Sequence, residues 1–355
     1  MPYTSTASKE KYYAALAEAE NFNLPDDWQD GRELLHGIAI DPSWTPDVDD
    51  AISVARSSDG NYELRVSISD VGSFLARKSA IVSHAEEMGW SHYRGERVVD
   101  PMLPRRISEN CLSLQRSQER PVLTTRISIN ENGQPIHTRI TRDRIITKRY
   151  SHTGANRALR QGYEKSELRE LERVADIAFI ARGGTEVEGF VSEEVEGRKL
   201  SQHPNQSAEF IVRECMVMAN FCIAGFMKAK EIPALYRNQA LMPQRKNDLP
   251  EEVIDLLRRK LGYATYDPES KGHVGLELPT YAHATSPLRR FSDFVNHCNL
   301  AAYLDGQRMP YPVNRLGAIA TRLNMLEKSK EPQWLIEGDH RIVQALQRAA
   351  SRSRK

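Results

Sequence analysis

Four aspartates fall within ten residues in the segment Ile40-Asp41-Pro42-Ser43-Trp44-Thr45-Pro46-Asp47-Val48-Asp49-Asp50. The flanks read as strands: Ile38 and Ile40 alternate before the loop, and Ala51-Ile52-Ser53-Val54 follows it. Mutual repulsion opposes a compact loop of this composition unless positive charge sits among the carboxylates. Hard divalent cations with oxygen ligands supply that charge. A calcium-binding EF-hand loop needs acids at positions one, three and five, Gly at six and Glu at twelve, and neither Asp41 nor Asp47 starts such a pattern. Magnesium takes few carboxylates, keeps waters and adds substrate phosphate, which suits this cluster, and Pro42 and Pro46 stiffen the loop. The competing explanation is an Asp-rich surface turn.

A second segment, Tyr281-Ala282-His283-Ala284-Thr285-Ser286-Pro287-Leu288-Arg289-Arg290-Phe291-Ser292-Asp293, reads as a helix start. Ser286 is placed as a hydroxyl cap and Pro287 in the first turn, so a helix is expected over 288–305. Arg289 and Arg290 then sit at the positive end of the helix dipole, which repels each by about 0.3–1 kcal/mol. An anion docked there removes that cost, because free N–H groups and guanidinium forks both point at it. Neutralisation of one arginine by Asp293 is the simpler alternative. Together, acids that attract metal and arginines that attract phosphate describe metal-assisted phosphodiester chemistry.

The rest of the chain places these segments in an α+β domain. A short helix is expected at 8–20. Tyr62, Leu64, Val66 and Ile68 form a half-buried strand after the turn Ser57-Ser58-Asp59-Gly60, paired back on the strand before it. A further strand pair is expected at 121–130 and 135–147 around Glu131-Asn132-Gly133. Helices follow: one through Leu168, Leu171, Val174 and Ala178 that ends at Gly183-Gly184, an apolar one from Phe210 to Met227, then 250–261, 313–330 and 334–350.

Composition excludes several classes. Lys+Arg 49 against Asp+Glu 48 rules out a globally basic nucleic-acid coat but leaves room for a local basic groove. Mean hydropathy is −0.57 and no run of about 18 uninterrupted apolar residues occurs, so no membrane span is expected. The N-terminus lacks a secretory pattern. Cys111, Cys215, Cys222 and Cys298 form no C-x-x-C pair; they read as buried small hydrophobes in a reduced, cytoplasmic protein. His36, His283 and His297 show no metal spacing and read as structural, and no glycine-rich phosphate loop is found.

The two segments resemble the ribonuclease II / ribonuclease R family, the RNB-domain exoribonucleases. Ile40-Asp41 through Asp47-Val48-Asp49-Asp50-Ala51 looks like that family's metal motif, and Thr285-Ser286-Pro287-Leu288-Arg289-Arg290-Phe291-Ser292-Asp293 like its arginine motif. Ser67-Ile68-Ser69-Asp70-Val71, Pro101-Met102-Leu103-Pro104 and Ser108-Glu109-Asn110-Cys111-Leu112-Ser113-Leu114 resemble family stretches in the same order, and the likeness runs from about residue 36 to 335. The resemblance implies an RNB-type catalytic domain with a mixed or antiparallel sheet flanked by helices. Asp41, Asp47, Asp49 and Asp50 would hold Mg2+ (Mn2+ as an alternative), with Asp41, Asp49, Asp50 and Arg289 catalytic. Arg289 would grip the scissile phosphate. Tyr93 would pack on the 3′ base, Tyr150 and Glu214 would lie near the ribose, and Thr285, Ser286 and Arg290 would join the RNA contacts. Glu327 falls in a helix that carries a functional glutamate in the family.

The chain also departs from the family pattern. Arg213 stands where relatives carry the first of two adjacent acids, leaving Glu214 alone, and one extra residue lies between Tyr93 and Pro101. The stretches outside the matching region are too short for an OB barrel, so a catalytic domain without cold-shock or S1 modules is expected, with weaker and more salt-sensitive RNA binding than a longer relative. The division expected is an extension at 1–35, a catalytic domain at 36–340 and a basic tail at 341–355. The function implied is Mg-dependent 3′→5′ hydrolysis of single-stranded RNA to nucleoside 5′-monophosphates. The alternatives are a non-catalytic RNA-binding module and a nuclease for DNA or structured RNA.

Overall fold

The computed structural model describes residues 6–75, 78–94, 97–161, 167–183, 208–239 and 264–328. Helix α1 (Thr6–Glu20) leads into strands β1 (Glu33–Asp41), β2 (Asp50–Arg56) and β3 (Tyr62–Ser69). Helix α2 (Ala80–Met88) and a small ribbon, β4 (His92–Arg94) with β5 (Arg97–Asp100), come next. Long strands β6 (Glu119–Ile129) and β7 (Pro135–Ser151) follow, then helices α3 (His152–Arg160), α4 (Glu167–Ala181) and α5 (Ala208–Ala229). A second ribbon, β8 (Tyr236–Asn238) with β9 (Thr265–Asp267), precedes α6 (Phe291–Leu304) and α7 (Val313–Lys328).

The expected strands are all present, and they go further than a sheet. They close into a barrel in the order β1-β2-β3-β6-β7, antiparallel throughout except where β1 runs parallel to β7 from Glu33↔Asp143 to Asp41↔Ser151. Closure is possible because the lining is small. Ala39, Ala51, Val48, Leu114, Val122 and Ile145 fill one cluster, and at Gly37 an added Cβ would meet Ile145 Cδ1 at 3.0 Å. Among the described residues this is the only barrel.

The outer face of the barrel carries the opposite set of each strand. Ile38, Ile40, Ile52, Leu64, Val66, Ile68 and Ile127 pack beneath α3, α4 and α5. Each fully buried Ile, Phe or Met there contributes about 1.5–3 kcal/mol. Helix α5 is the apolar helix expected from Phe210 to Met227, and within its 22 residues lies an 18-residue window, of mean hydropathy 1.6, long and apolar enough to cross a membrane. Two-thirds of it (67%) is buried in the protein, and it carries the charged pair Arg213 and Glu214, so it serves as the core helix of this fold.

A second core joins α1, α2, α6 and α7, through Ala15 and Ala19, Ile81 and Ala85, Phe291 and Phe294, and Leu316 and Leu323. It is tied to the barrel at the turn after β3. There Asp70, wholly buried, accepts from Arg32 at 2.8 Å, and Gly72 lies so close to α6 that a Cβ would sit 2.7 Å from the backbone of His297 and Cys298. The helices expected at 250–261 and 334–350, and the basic tail from Arg341 to Lys355, lie outside the described residues.

Candidate active site

Strand β1 delivers Asp41 and strand β2 begins with Asp50, so the barrel itself sets the two ends of the acidic loop. Its middle is pegged from three sides. Arg149 Nη2 donates to the carbonyls of Thr45 and, at 3.3 Å, Pro42. Ser113 Oγ donates to Pro46 O at 2.8 Å and accepts from Val48 N–H at 3.0 Å, and Gln115 Nε2 also donates to Pro46 O. Backbone bonds from Leu114 to Val48 O (3.0 Å) and from Ser69 to Asp49 O (2.9 Å) complete the frame. The carboxylates are therefore held in place by neutral partners and one guanidinium.

The arginine segment differs from the expected helix start. Helix α6 begins at Phe291, with the extended residue Arg290 (φ −130°, ψ 125°) as its N-cap and no side-chain cap. Ser286 to Arg290 form a separate turn, closed by Arg290 N–H to Ser286 O at 2.9 Å. Arg289 and Arg290 thus precede the helix instead of occupying its first turn. The physical cause is competition for the backbone: Arg290 bridges to Trp90, Ser91 N–H donates to Arg289 O (2.9 Å) and Phe291 N–H donates to Gly89 O (2.8 Å). Asp293, wholly buried, accepts from Ser286 N–H (2.9 Å), Arg290 Nη2 (2.8 Å) and Ser292 Oγ (2.9 Å). The neutralisation of one arginine by Asp293 is thereby observed for Arg290.

This strap brings Arg289 to the acids. Leu288 N–H donates to Asp49 Oδ1 at 2.8 Å, and Arg289 Nε lies 3.4 Å from Asp49 Oδ2. Asp49 is 3% exposed, whereas the Arg289 side chain is 42% exposed, so the guanidinium forms the open wall of the site. Burial pushes all four carboxyls up. Asp41 rises to about 7, by desolvation and then the charge of Asp50, and Asp50 rises to about 6 by desolvation. Desolvation also raises Asp47 and lifts Asp49 well above the ordinary range. Arg289 opposes the rise at every one of them.

The donor set fits a hard cation. Asp41 Oδ2 is buried without a hydrogen-bond partner, an arrangement that is costly for a carboxylate oxygen unless a cation meets it, and Asp49 Oδ2, also without a hydrogen bond, has the Arg289 guanidinium at 3.4 Å. Among the described residues no three His, Cys, Asp or Glu side chains form a ready-made metal cage. Magnesium is the ion that does without one, since a carboxylate or two, waters and phosphate make up its shell.

The other candidate residues divide. Tyr93 is at the site: its hydroxyl donates to Asp47 Oδ2 at 3.3 Å. A register shift in the β4–β5 ribbon, with His92 opposite Asp100 and Tyr93 opposite Val98, accommodates one residue more on β5. Tyr150 pairs with Ile40 in register, and Asp50 lies beyond Ile40 on the same face. Two strand spacings, about 10 Å, separate it from Asp50. Its ring lies beneath Lys148 Nζ at 4.9 Å.

Thr285, Ser286 and Glu214 are buried and make bonds within the protein. Thr285 (2% exposed) accepts from Asn220 Nδ2 at 3.3 Å and from Arg290, while Ser286 Oγ accepts from Arg289 Nη2 at 3.0 Å. Both therefore help to orient the strap. Glu214 is 1% exposed and accepts a fork from Arg182, two bonds of 2.9 Å, and a third from Arg213. Arg213, the departure at the acid pair, is thus compensated inside the protein. Glu327 pairs with Arg237 at 2.8 Å, and that guanidinium in turn covers the ring of Tyr266. His283 Nδ1 shares a hydrogen bond with Tyr266 Oη and His297 Nε2 donates to Ala284 O, in the structural roles expected of them.

Sequence reasoning missed Arg149, Gln115, Asn220 and Ser91 as the frame. The stretch Ser108–Leu114 was singled out without a role; its Ser113 turns out to peg the acidic loop. Nothing local distinguishes Arg149 from the other cations of β7.

Comparison with known proteins follows this geometry. The family model described as RNB domain matches residues 29–253 and 239–306. Ribonuclease R of Escherichia coli K12 is 27% identical over 359 residues, covering 84% of this chain and 43% of that protein. Ribonuclease R 2 of Lactococcus lactis is 28% identical over 346 residues, covering 81% of this chain and 52% of that one. The chain thus spans about half the length of the curated relatives it matches. Among solved structures, Mycoplasma genitalium RNase R in complex with ribose-methylated single-stranded RNA superposes with a TM-score of 0.73 at 22% identity, over 95% of this chain and 60% of that chain. Yeast Ssd1, a pseudonuclease, shares the fold with a TM-score of 0.69 at 18% identity, over 85% of this chain and 44% of that chain. Since the family model covers well over half of the sequence, this chain belongs to the RNB domain family of exoribonucleases.

Proposed function

We propose that the chain is a magnesium-dependent exoribonuclease that shortens single-stranded RNA from its 3′ end and releases nucleoside 5′-monophosphates. The observation that carries the reading is the position of Arg289, 3.4 Å from Asp49 and within electrostatic reach of Asp41, Asp47 and Asp50. A guanidinium on the open side of four crowded acids suits a phosphodiester gripped between them. Direction, products and the single-stranded preference follow from the family resemblance, and RNA as the substrate is supported by the Mycoplasma relative, which matches in complexes with both single- and double-stranded RNA.

Asp41 and Asp49, each with a buried oxygen that accepts no hydrogen bond, would hold Mg2+ together with Asp50 and Asp47. When bound, the ion supplies a nucleophilic water at neutral pH and charge stabilisation at the phosphate. The chain itself does the rest. Arg289 binds and orients the phosphate, the Ser113–Gln115 frame keeps the acids from spreading, and Tyr93 packs beside Asp47 where a terminal base would lie.

Yeast Ssd1 shows that the fold also serves a pseudonuclease. A binder has no use for crowded acids that repel RNA, and this chain keeps all four together with Arg289. A time course on 5′-labelled single-stranded RNA, resolved at one-nucleotide steps, tests the choice. The expected result is a descending ladder with Mg2+ that stops with EDTA. Full-length RNA that is shifted on a native gel but never shortened overturns the nuclease reading.

A further inference from the structure

We infer that Tyr266, on β9, is a positioning residue for Arg289: through Ser292 and Asp293 it fixes the strap that holds the guanidinium over the acids. The effect on RNA rests on the reading of those acids as an RNA site, whereas the placement of Arg289 is measurable without RNA.

Residues 286–289 form a turn outside any helix or strand, so side-chain bonds set their path. Asp293 supplies the main anchor. Its Oδ1 accepts from Ser286 N–H at 2.9 Å and from Arg290 Nη2 at 2.8 Å, and Ser286 Oγ accepts from Arg289 Nη2 at 3.0 Å. All that the strap draws from Asp293 thus goes to one oxygen. The end torsion of an aspartate is broad, so the plane of the carboxylate is set by what its other oxygen meets. That partner is Ser292 Oγ, 2.9 Å from Oδ2, and Ser292 Oγ lies 3.2 Å from Tyr266 Oη. Four hydrogen bonds in series therefore join Tyr266 to Arg289.

Counting protons gives the series its direction. Burial works to raise the Asp293 carboxyl, but the charge of Arg290 and the bonds from Ser286 and Ser292 hold it below the ordinary range, so it is ionised and only accepts. A serine hydroxyl has one proton, and that of Ser292 goes to Asp293, so Ser292 accepts from Tyr266. Burial pushes the Tyr266 hydroxyl up to about 12, so it has the proton to give. Tyr266 Oη then accepts from His283 Nδ1, 2.9 Å away, which places a proton on that nitrogen. His283, Tyr266, Ser292 and Asp293 are all buried, where aligned bonds polarise one another. Tyr266 is itself held from α7. Asn324 clamps its backbone, accepting from Tyr266 N–H at 2.8 Å and donating to Tyr266 O at 2.9 Å. Arg237, paired with Glu327, covers its ring at 4.5 Å. The phenol is thus a fixed point against which the strap is set.

Tyr266→Phe keeps the ring under Arg237 and removes only the hydroxyl. Ser292→Ala cuts the next bond of the series and carries the test alone if Tyr266→Phe does not fold. The first measurement is the Arg289 Nε–H resonance in a proton–nitrogen NMR spectrum in EDTA, identified by its loss in Arg289→Lys. Both variants are expected to move it toward the position of solvated arginine. Tyr236→Phe, a buried tyrosine on the facing strand β8, is the control and should leave it in place. The second measurement is the affinity for fluorescein-labelled single-stranded RNA by anisotropy in EDTA. Tyr266→Phe should weaken it about fivefold, the worth of one neutral hydrogen bond, yet by less than about twofold in an Arg289→Gln background, because it acts through Arg289. A defect of folding alone weakens both backgrounds alike. An Arg289 resonance that neither variant moves, or equal losses in the two backgrounds, overturns the role of Tyr266. A wild-type chain that binds no RNA removes the RNA reading, and a shifted resonance then still upholds the positioning of Arg289.

Discussion

Replacing Asp41 by Asn should make the metal-free protein more stable at neutral pH, although it removes one of the four acids of the site. Burial and the charge of Asp50 raise the Asp41 carboxyl from 3.8 to about 7. Below about pH 4 the group is protonated in both folded and unfolded chains and costs nothing. Between pH 4 and 7 the unfolded chain ionises first, so stability falls as pH rises, and above about 7 the loss is complete. A shift of about 3 units at about 1.4 kcal/mol each sets the loss at about 4 kcal/mol, and less where Asp50, itself raised to about 6, shares the proton. Asn keeps the shape and never ionises. Urea unfolding at pH 5, 6, 7 and 8 in EDTA should show the variant drawing ahead of the wild type by about 2–4 kcal/mol at pH 8, with most of that gap gone at pH 5. Added Mg2+ should narrow the gap at pH 8, since an ion at a hundred times its Kd contributes about 2.7 kcal/mol to the wild type that binds it. A gap independent of pH, or a variant less stable than the wild type at pH 8 in EDTA, would refute the claim that these acids are crowded.

Other outcomes test other parts of the structure. Asp49→Asn should keep the fold, because Oδ1 still accepts from Leu288 N–H, yet lose cleavage by at least about a hundredfold with RNA binding retained; a gel time course beside an anisotropy titration reads both. Asp293→Ala should cost about 3–5 kcal/mol in urea unfolding, since Arg290 loses its buried partner and the turn at Ser286 its anchor. Gly72→Ala should destabilise by about 1–3 kcal/mol, because the new Cβ meets the backbone of α6 at 2.7 Å; an unchanged urea midpoint would show that the turn can move away.

The corrections share a cause. Ser286-Pro287 has the chemistry of a helix start, and locally that reading is sound. The helix nevertheless waits until Phe291, because Gly89 and Ser91 take backbone bonds that a longer helix would need. Glu214 likewise carries no mark in the sequence of being spent. Its partner Arg182 stands 32 residues away, and the fork between them forms only where α4 and α5 pack together. Helix α5 is apolar enough for a membrane by composition, and only the barrel beside it shows why.

The period-two alternation of β1, β2, β3, β6 and β7, the long apolar run of α5, and the crowding of Asp41, Asp47, Asp49 and Asp50 are local properties, and local spacing was enough to find them. The same holds for the two motifs that carried the family likeness, since each lies within a single short segment. Tertiary structure alone decided that the strands close into a barrel through a parallel β1–β7 pair, that Arg149 and Ser113 frame the acids, and that Leu288, with Arg289 beside it, reaches Asp49 across a separation of 239 residues. Periodicity reports which face of an element is buried; it carries no information about which distant element covers it, and that pairing is set by hydrogen bonds and close contacts that exist only once the chain has folded.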